Sequence, residues 1–347
     1  MLTRLLATAT LVALGLSSPA LADYIYTDDG LSVKQFQSNG TQVPPGANCS
    51  PLTNPAPFSC TPGTSVKGLA ATVFDTSLPG LDILAAAGGN NAIYIYSQTG
   101  VQSPFADNTS KNAANVSANL TGVVGITVNG TGDVFAGGNS GMEIEEFSPT
   151  GAYIGAVVSS GLEVNSLAVN AAGQLFEADN GTGTINEYTV SSSGTLIGAP
   201  STYSTLPGTS TNYYGMAFDS QGDLYVAYQN TTNSGGIYEI APGGGTPTTV
   251  YSESGFRPIG LSYNPYSGTL YMSYFSGNSG GVDSFTANGS TTITPTTFLA
   301  SGTLDLPYGI VSPAPEPGTL LLFAVGLTSI FFLRRFLVPK VLAASRR

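Results

Sequence analysis

A unit of about 45 residues recurs through the middle of the chain, and this repeat limits the fold more than any other feature of the sequence. Each unit opens with an apolar strand around one small residue, which in four clear copies is Gly125, Ser166, Gly215 and Gly260. These copies start 41, 49 and 45 residues apart. Such spacing is typical of the four-stranded blades of a β-propeller.

Two further strands follow in each unit at nearly constant offsets. A Gly seven or eight residues after the small residue opens the second strand, and the third alternates apolar and polar residues. A Gly at a fixed distance between two alternating strands predicts a tight hairpin. The second strands begin with Gly132-Asp133-Val134-Phe135, Gly173-Gln174-Leu175-Phe176, Gly222-Asp223-Leu224-Tyr225 and Gly268-Thr269-Leu270-Tyr271.

The two ends of the repeat region complete one more unit. Residues 24–26 and 31–36 have the pattern of second and third strands without a first, and residues 306–311 have the pattern of a first strand with nothing after it. A looser unit begins at Gly68. We therefore predict an all-β, six-bladed β-propeller over residues 23–312, closed by N- and C-terminal strands in one blade, because closure removes exposed sheet edges. A β-sandwich and an open β-solenoid are the alternatives.

Charge is distributed unevenly along the chain. All 21 acidic residues lie between Asp23 and Glu316, but only four of the ten basic residues do. A region with so large an acidic excess repels phosphate backbones, so the sequence excludes a nucleic-acid partner. The same charge favours solubility at a cell surface and leaves divalent cations or basic polymers as partners.

The N-terminus predicts a signal peptide over residues 1–22. Arg4 precedes an apolar run from Leu5, and the small residues Ala20 and Ala22 form the pattern that signal peptidase accepts, with Asp23 as the new N-terminus. An uncleaved membrane anchor is the alternative. In an exported chain, Cys49 and Cys60 predict one disulfide, with free or redox-active thiols as the alternative.

The C-terminal segment, residues 313–347, has three elements in order. Pro315-Glu316-Pro317 comes first, an uncharged stretch of 16 residues follows, and Arg334-Arg335 closes it. The stretch predicts a transmembrane helix at about 318–333, somewhat shorter than the usual span of about 20 residues, with its basic end in the cytoplasm. An ordinary single-pass tail anchor would leave the Pro-Glu-Pro motif unexplained.

This constellation resembles the PEP-CTERM sorting signal of Gram-negative bacteria, although the chain continues past Arg335 further than such signals usually do. The resemblance implies processing by an exosortase-like membrane protease and a link to exopolysaccharide or surface glycan. We therefore expect an exported protein, held at the inner membrane through its C-terminal helix as a precursor and then located at the cell surface or in the extracellular matrix.

The Gly-Asp-Leu-Tyr turns are similar to those of NHL-repeat and SMP-30-type propellers, whose lactonases hold a divalent metal with carboxylates and Asn. The chain has no histidine, which removes Ser-His-Asp triads and the commonest metal ligand. Asp28 and Asp179 end equivalent second strands and are the candidate metal ligands, with calcium as the ion, at a mouth of the channel. A shared turn is the alternative.

Other polar residues have structural interpretations. Asp133 and Asp223 recur at one place in the repeat, which favours turn chemistry. We expect Glu143, Glu145 and Glu146 to form a solvated strand face, with cation or matrix binding as the alternative. The alternating tyrosines favour packing over sugar stacking; they are Tyr213, Tyr214, Tyr225, Tyr228, Tyr271 and Tyr274.

No catalytic set is visible, and no cofactor beyond calcium is suggested. The sequence therefore favours a non-enzymatic propeller for binding or adhesion at the cell surface. A metal-dependent lactonase or lyase of the SMP-30 type is the alternative.

Overall fold

The computed structural model describes residues 24–29, 32–42, 66–72, 82–96, 102–138, 143–158, 163–190, 196–208, 212–230, 234–277, 279–287 and 292–312. Within these ranges there are 23 strands in six antiparallel sheets and no helix. The signal peptide, the cleavage residues Ala20, Ala22 and Asp23, both cysteines and the segment 313–347 lie outside the described residues. No helix in the described ranges could span a membrane, and the predicted span at about 318–333 falls outside them.

Each sheet is one blade of a propeller, so the predicted six-bladed fold is confirmed. Blade 1 is β3 (Val66–Thr72), β4 (Asp82–Ala87), β5 (Ala92–Tyr96) and β6 (Gln102–Asp107). Blade 2 is β7 (Val123–Val128), β8 (Val134–Gly138), β9 (Glu143–Phe147) and β10 (Tyr153–Val158). Blade 3 is β11 (Val164–Val169), β12 (Leu175–Asp179), β13 (Thr184–Val190) and β14 (Leu196–Thr205).

The remaining three blades continue around the ring. Blade 4 is β15 (Asn212–Phe218), β16 (Leu224–Gln229), β17 (Ser234–Ile240) and β18 (Thr248–Ser254). Blade 5 is β19 (Phe256–Asn264), β20 (Thr269–Ser276), β21 (Ser279–Thr286) and β22 (Thr296–Leu304). Blade 6 has three described strands in the order β2 (Val33–Gln37), β1 (Tyr24–Asp28) and β23 (Ile310–Val311).

Blade 6 joins the two ends of the ring, as the incomplete repeat units predict. Strand β23 pairs antiparallel with β1 through only two residue pairs, Thr27 with Ile310 and Tyr26 with Val311. Side chains reinforce this short pairing. Thr27 Oγ1 donates to the Gly309 carbonyl at 2.9 Å, and the Asp28 carboxylate accepts the backbone amides of Tyr308 and Gly309.

The repeated hairpin between the first and second strands has a physical cause. In blade 2, Asn129 Oδ1 accepts the amides of Thr131 at 3.0 Å and Asp133 at 2.9 Å, while Gly132 takes a left-handed φ of +89°. Asp219 makes the same two contacts in blade 4, to the amides of Gln221 and Asp223. Asp133 and Asp223 therefore belong to this turn, and the turn interpretation is confirmed.

The small residue of each inner strand allows neighbouring blades to approach closely at the axis. A Cβ at Gly68 would lie 2.2 Å from the Val124 carbonyl oxygen of the next blade, and one at Gly215 would lie 2.3 Å from Leu261 N. Ser166 occupies the same position in blade 3. The inner strands are therefore packed backbone to backbone around the channel.

Apolar side chains fill the spaces between blades, and five of the six tyrosines singled out by the sequence pack there. Tyr228 stacks on Tyr238 with centroids 4.1 Å apart, and Phe256 stacks on Tyr274 at 4.0 Å. The packing prediction is confirmed for the buried side chains, which are Tyr213, Tyr225, Tyr228, Tyr271 and Tyr274. Tyr214 alone is only half-buried.

The expectation of a solvated face on β9 is wrong. Glu145 and Glu146 are 1% and 3% exposed, although they point to opposite faces of the strand. Both faces are covered because an interior strand of a propeller blade packs against a neighbouring blade on either side. Burial raises the pKa of Glu145, while hydrogen bonds from Tyr153 and from the Asn119 amide act against that rise.

Candidate functional site

The inner strands form a central channel, and their repeat positions place the side chains that line it. The residue before the central small residue lines one mouth in every blade, and the third residue after it lines the other. We call the first set the polar mouth: Lys67, Val124, Asn165, Tyr214, Ile259 and Tyr308. We call the second set the apolar mouth: Ala71, Val128, Val169, Phe218, Tyr263 and Ser312.

A ring of apolar side chains separates the two mouths. Each blade contributes the residue that directly follows its small residue, and each of these side chains borders both cavities. None is more than 8% exposed. The cavity at the polar mouth has a volume of about 380 Å³, and that at the apolar mouth about 310 Å³. The apolar ring comprises Leu69, Ile126, Leu167, Met216, Leu261 and Ile310.

Two tyrosines and a lysine form one wall of the polar mouth. Lys67 Nζ lies 3.4 Å from the centroid of the Tyr308 ring, a cation–π contact between blades 1 and 6. The other contact of the Tyr308 ring is edge-on with Phe275, with centroids 5.3 Å apart. Because both contacts fix its plane, Tyr308 offers a preformed aromatic surface.

Tyr214 continues this wall in blade 4. Burial raises the pKa of its hydroxyl and the nearby Tyr308 adds to the rise, while a hydrogen bond with Asn212 and the positive charge of Arg257 oppose it. Arg257 lies in β19 of blade 5, near the start of the inner strand and therefore at this end of the channel. Cations and tyrosines thus alternate over four adjacent blades.

Blade 3 supplies the opposite wall with hydrogen-bonding groups. Asn165 and the exposed Glu163 line the mouth. Asn180 also lines it; its Oδ1 accepts the Tyr213 amide at 2.7 Å, so its Nδ2 remains as a donor. Side-chain amides and a carboxylate here face an aromatic and cationic wall.

The two candidate metal ligands, Asp28 and Asp179, lie beneath the polar mouth, and each carboxylate accepts hydrogen bonds from backbone amides. Asp179 is fully buried; Oδ1 accepts the amides of Glu163 and Gly181, and Oδ2 accepts the Thr182 hydroxyl. Asp28 holds Tyr308 and Gly309 in the equivalent way in blade 6. Both carboxylates brace the start of the inner strand of their own blade.

These carboxylates do not fit a shared metal site. Blades 3 and 6 lie on opposite sides of a six-bladed ring, so Asp28 and Asp179 do not converge. Among the residues that the structure describes, no three His, Cys, Asp or Glu side chains are grouped to hold a metal. Within the described ranges both predicted calcium ligands are engaged with backbone amides, and calcium binding stays a prediction.

A carboxyl with a strongly raised pKa lies away from both mouths. Glu177 of β12 is fully buried, and its Oε2 accepts the Tyr188 hydroxyl at 2.5 Å. Burial raises its pKa to about 7; the hydrogen bonds from Tyr188 and Asn186 lower it, and Asp179 raises it further. Its strand face packs with Leu175 against blade 2, so this group belongs to a blade interface.

The sequence reasoning missed Lys67, Tyr308 and Arg257, because it searched for acidic residues. The signal was present in the aligned repeats. The column before the small residue reads Lys, Val, Asn, Tyr, Ile and Tyr around the ring, which is unusually polar for an inner strand. In the structure this column lines one end of the channel, at a register shift that interrupts the inner strand in blades 1, 2, 3 and 5.

Residues 313–335 match the PEP-CTERM protein-sorting motif, which confirms the resemblance seen in the sequence. The matched residues include Pro315-Glu316-Pro317 and Arg334-Arg335. This motif is processed by exosortase, a membrane protease, so the chain is an exported protein with a membrane-anchored sorting precursor. No protein of curated function matches the chain in sequence.

Several solved structures resemble the ring. The PQQ-bound aldose sugar dehydrogenase of Streptomyces coelicolor is 17% identical with a TM-score of 0.52, covering 72% of this chain and 85% of that one. A chain of the nidogen/laminin complex is 16% identical with a TM-score of 0.55, covering 83% and 97%. An inactive virginiamycin B lyase of Staphylococcus aureus with quinupristin is 13% identical, TM-score 0.52, covering 82% and 86%. Likenesses this distant show the propeller fold alone.

Proposed function

We propose that this protein is a non-enzymatic binding propeller of the cell surface or extracellular matrix, which holds a small polar ligand in its polar mouth. One observation carries the proposal. Within one column of the repeat, a cation, an amide and two tyrosines replace apolar residues at a single end of the channel, above a closed apolar ring. A concave site with a few convergent polar groups is the usual form of a small-molecule site.

The chemistry of the mouth suits a sugar. Aromatic rings such as that of Tyr214 pack against the apolar faces of pyranose rings, and side-chain amides such as that of Asn165 bond to hydroxyl groups. Display on exopolysaccharide or a surface glycan is consistent with a PEP-CTERM signal at the end of the same chain. Adhesion through this mouth is therefore the role that we propose after exosortase releases the tail.

Saturation-transfer NMR on the full-length chain in detergent tests this proposal. A panel of neutral and acidic monosaccharides should give ligand signals with the unaltered protein, and Tyr214→Ala should abolish them. Tyr263→Ala is the matched control, because Tyr263 lines the apolar mouth and its hydroxyl bonds to Ser220 at 3.0 Å. Equal loss in both variants, or no ligand signal for any sugar, would contradict the proposal.

The same experiment separates binding from catalysis. A metal-dependent lactonase or lyase needs carboxylates that converge on the ligand, whereas the carboxylates of Asp28 and Asp179 hold backbone amides. We expect the sugars to remain chemically unchanged for hours, and calcium or EDTA to leave their binding unaltered. Product signals that require calcium would support the enzyme instead.

Sorting is tested in cells that carry an exosortase. Replacing Glu316 with Ala, or Arg334-Arg335 with Gln-Gln, should leave an unprocessed chain in the membrane fraction. The matched control replaces Arg346-Arg347, which lie beyond the matched motif. Unchanged processing and location in the Glu316 and Arg334-Arg335 variants would contradict the role of the tail.

A further inference from the structure

The basic residues of the ring are few, and their partners divide them into two kinds. Residues 24–312 contain only Lys34, Lys67, Lys111 and Arg257. Lys34 pairs with Asp29 at 2.8 Å, and Lys111 Nζ donates to Asn115 Oδ1 at 3.1 Å. Within the described part of the chain, Lys67 and Arg257 have no carboxylate partner. These two cations both lie at the polar mouth.

Two unpaired cations are unexpected in a region so rich in acids. Carboxylates are plentiful around the ring, yet none in the described ranges pairs with either cation, and Lys67 lies over the Tyr308 ring instead. A cation over an aromatic ring keeps its full charge and a fixed position. Both cations are half-buried; Lys67 lines the cavity, and Arg257 lies close enough to Tyr214 of its wall to act on the Tyr214 hydroxyl. Charges at such a site are screened less than on an open surface. The mouth is therefore prepared for an anion within an acidic protein.

The other side chains that line the polar mouth indicate what kind of molecule carries the anion. Tyr308 and Tyr214 lie on the same wall as the cations, so a bound anion would place its neighbouring atoms against aromatic rings. Asn165 and Asn180 on the other wall can bond to hydroxyl groups, and Glu163 can accept from them. The cavity of about 380 Å³ is at the small end of the range for ligand sites, roughly 300–1,000 Å³.

We infer that the polar mouth selects carboxylated sugars, with Lys67 and Arg257 holding the carboxylate and Tyr214 and Tyr308 facing the sugar ring. This inference rests on the proposed function of the same mouth and adds the chemical class of its ligand. Glu163, three blades from Tyr308, repels a second negative charge and so favours a sugar with one carboxylate.

Calorimetry on the full-length chain in detergent tests the inference with three matched pairs: glucose and glucuronate, galactose and galacturonate, mannose and mannuronate. We expect at least one uronate to bind about tenfold or more tightly than its neutral partner, because charge-assisted hydrogen bonds are worth more than neutral ones. The preference should shrink as NaCl rises from 50 to about 500 mM, since salt screens the two cations.

Variants assign the preference to the two side chains. Lys67→Met and Arg257→Gln should each lower uronate affinity about tenfold and lower the affinity for the neutral sugar by a much smaller factor. Lys67→Arg should restore the preference, which shows that loss in Lys67→Met is not misfolding. Lys111→Met is the matched control, since Lys111 is an exposed cation with its own partner outside the channel.

The outcomes separate this inference from the proposed function. If neutral sugars bind at the mouth as tightly as uronates, or if Lys67→Met binds uronate normally, the charge selectivity is wrong and sugar binding stands. If acetate binds as tightly as the uronates, the sugar ring contributes nothing and the inference also fails. If no sugar of any pair binds, the proposed function fails with it.

Discussion

The two mouths of the channel are built from the same six strands, yet they differ in chemistry and in support. At the polar mouth the inner strands begin, and in blades 3 and 6 a buried carboxylate from the second strand holds the first backbone amides of the inner strand. At the apolar mouth the inner strands end in the repeated turns, which satisfy their own polar groups through residues such as Asn129 and Asp219. In these two blades the backbone is held by the second strand, so the side chains of Asn165 and Tyr308 are available to face a ligand.

This difference follows from the repeat itself. The polar side chains of a recurring turn accept hydrogen bonds from the amides of the turn itself, so few polar groups remain to bind a ligand. The starts of the inner strands are connected to the preceding blade by segments of varying length, so their sequence is less constrained. The residue before the central small residue therefore varies from blade to blade, as Lys67, Tyr214 and Tyr308 show.

The largest expected effect comes from Gly215→Val, which disturbs both mouths at once. The new Cβ would meet Leu261 N at 2.3 Å, so the inner strands of blades 4 and 5 must separate. We expect a loss of unfolding free energy of about 3 kcal/mol or more, measured by urea denaturation. Gly155→Ala is the control, because a Cβ there has no neighbour within 4 Å. Similar stabilities for the two variants would show that the close approach does not matter.

The next effect separates the mouths. Asp28→Ala removes the acceptor for the Tyr308 and Gly309 amides, so we expect it to destabilise the protein by about 2–3 kcal/mol and to weaken ligand binding at the polar mouth. Asp305→Ala is the control, since Asp305 is exposed just before the same segment.

Thermal unfolding with calcium and with EDTA should coincide for the unaltered protein. A calcium-dependent rise that Asp28→Ala removes would restore the metal site.

A smaller effect, about 2 kcal/mol, concerns stability rather than either mouth. Because the pKa of Glu177 is raised to about 7 in the folded state, the folded protein retains a proton that the unfolded chain has already released above about pH 4.5. Stability therefore falls as pH rises between these two values, by up to about 1.4 kcal/mol per pH unit, and then levels off. Glu177→Gln should remove that part of the slope.

Denaturation at pH 5 and at pH 8 checks this prediction. Glu177→Gln should be more stable than the unaltered protein at pH 8 by about 2 kcal/mol and nearly equal to it at pH 5. Glu143→Gln, at a half-buried position in blade 2, is the matched control. An equal gain at both pH values would mean that titration of Glu177 is not the cause.

The sequence predicted the fold well because the repeat encodes it directly. The spacing of Gly125, Ser166, Gly215 and Gly260 predicted the blades, and the incomplete units at the two ends predicted the shared blade that Thr27 and Ile310 form. These features are local in sequence or follow from the spacing of the repeat. Both can therefore be recognised in one sequence without knowledge of its side-chain contacts.

The site was harder to predict because it depends on contacts between blades. Glu145 and Glu146 looked solvated, since alternation along one strand does not reveal that both faces of a blade are covered. Asp28 and Asp179 were correctly grouped as equivalent, but their amide partners emerge only when the inner strand is in place. Arg257 of blade 5 lies close enough to Tyr214 of blade 4 to oppose the rise in its pKa. The sequence of neither blade indicates this proximity.

The two-residue strand β23 has a mechanical consequence. It is the last strand of the ring, and the sorting motif begins at residue 313, directly after Ser312, so any tension on the tail reaches Ser312 first and then Val311 and Ile310. Ser312 is hydrogen-bonded to Ser262 and Asn264 of blade 5, and behind it two backbone pairings and the contacts of Thr27 and Asp28 hold β23 to β1. Tyr308 and Gly309, in the wall of the polar mouth, come next. A pull on the anchored precursor would therefore load blade 5 through Ser312 and the wall of the polar mouth through β23, and release of the tail would relieve both.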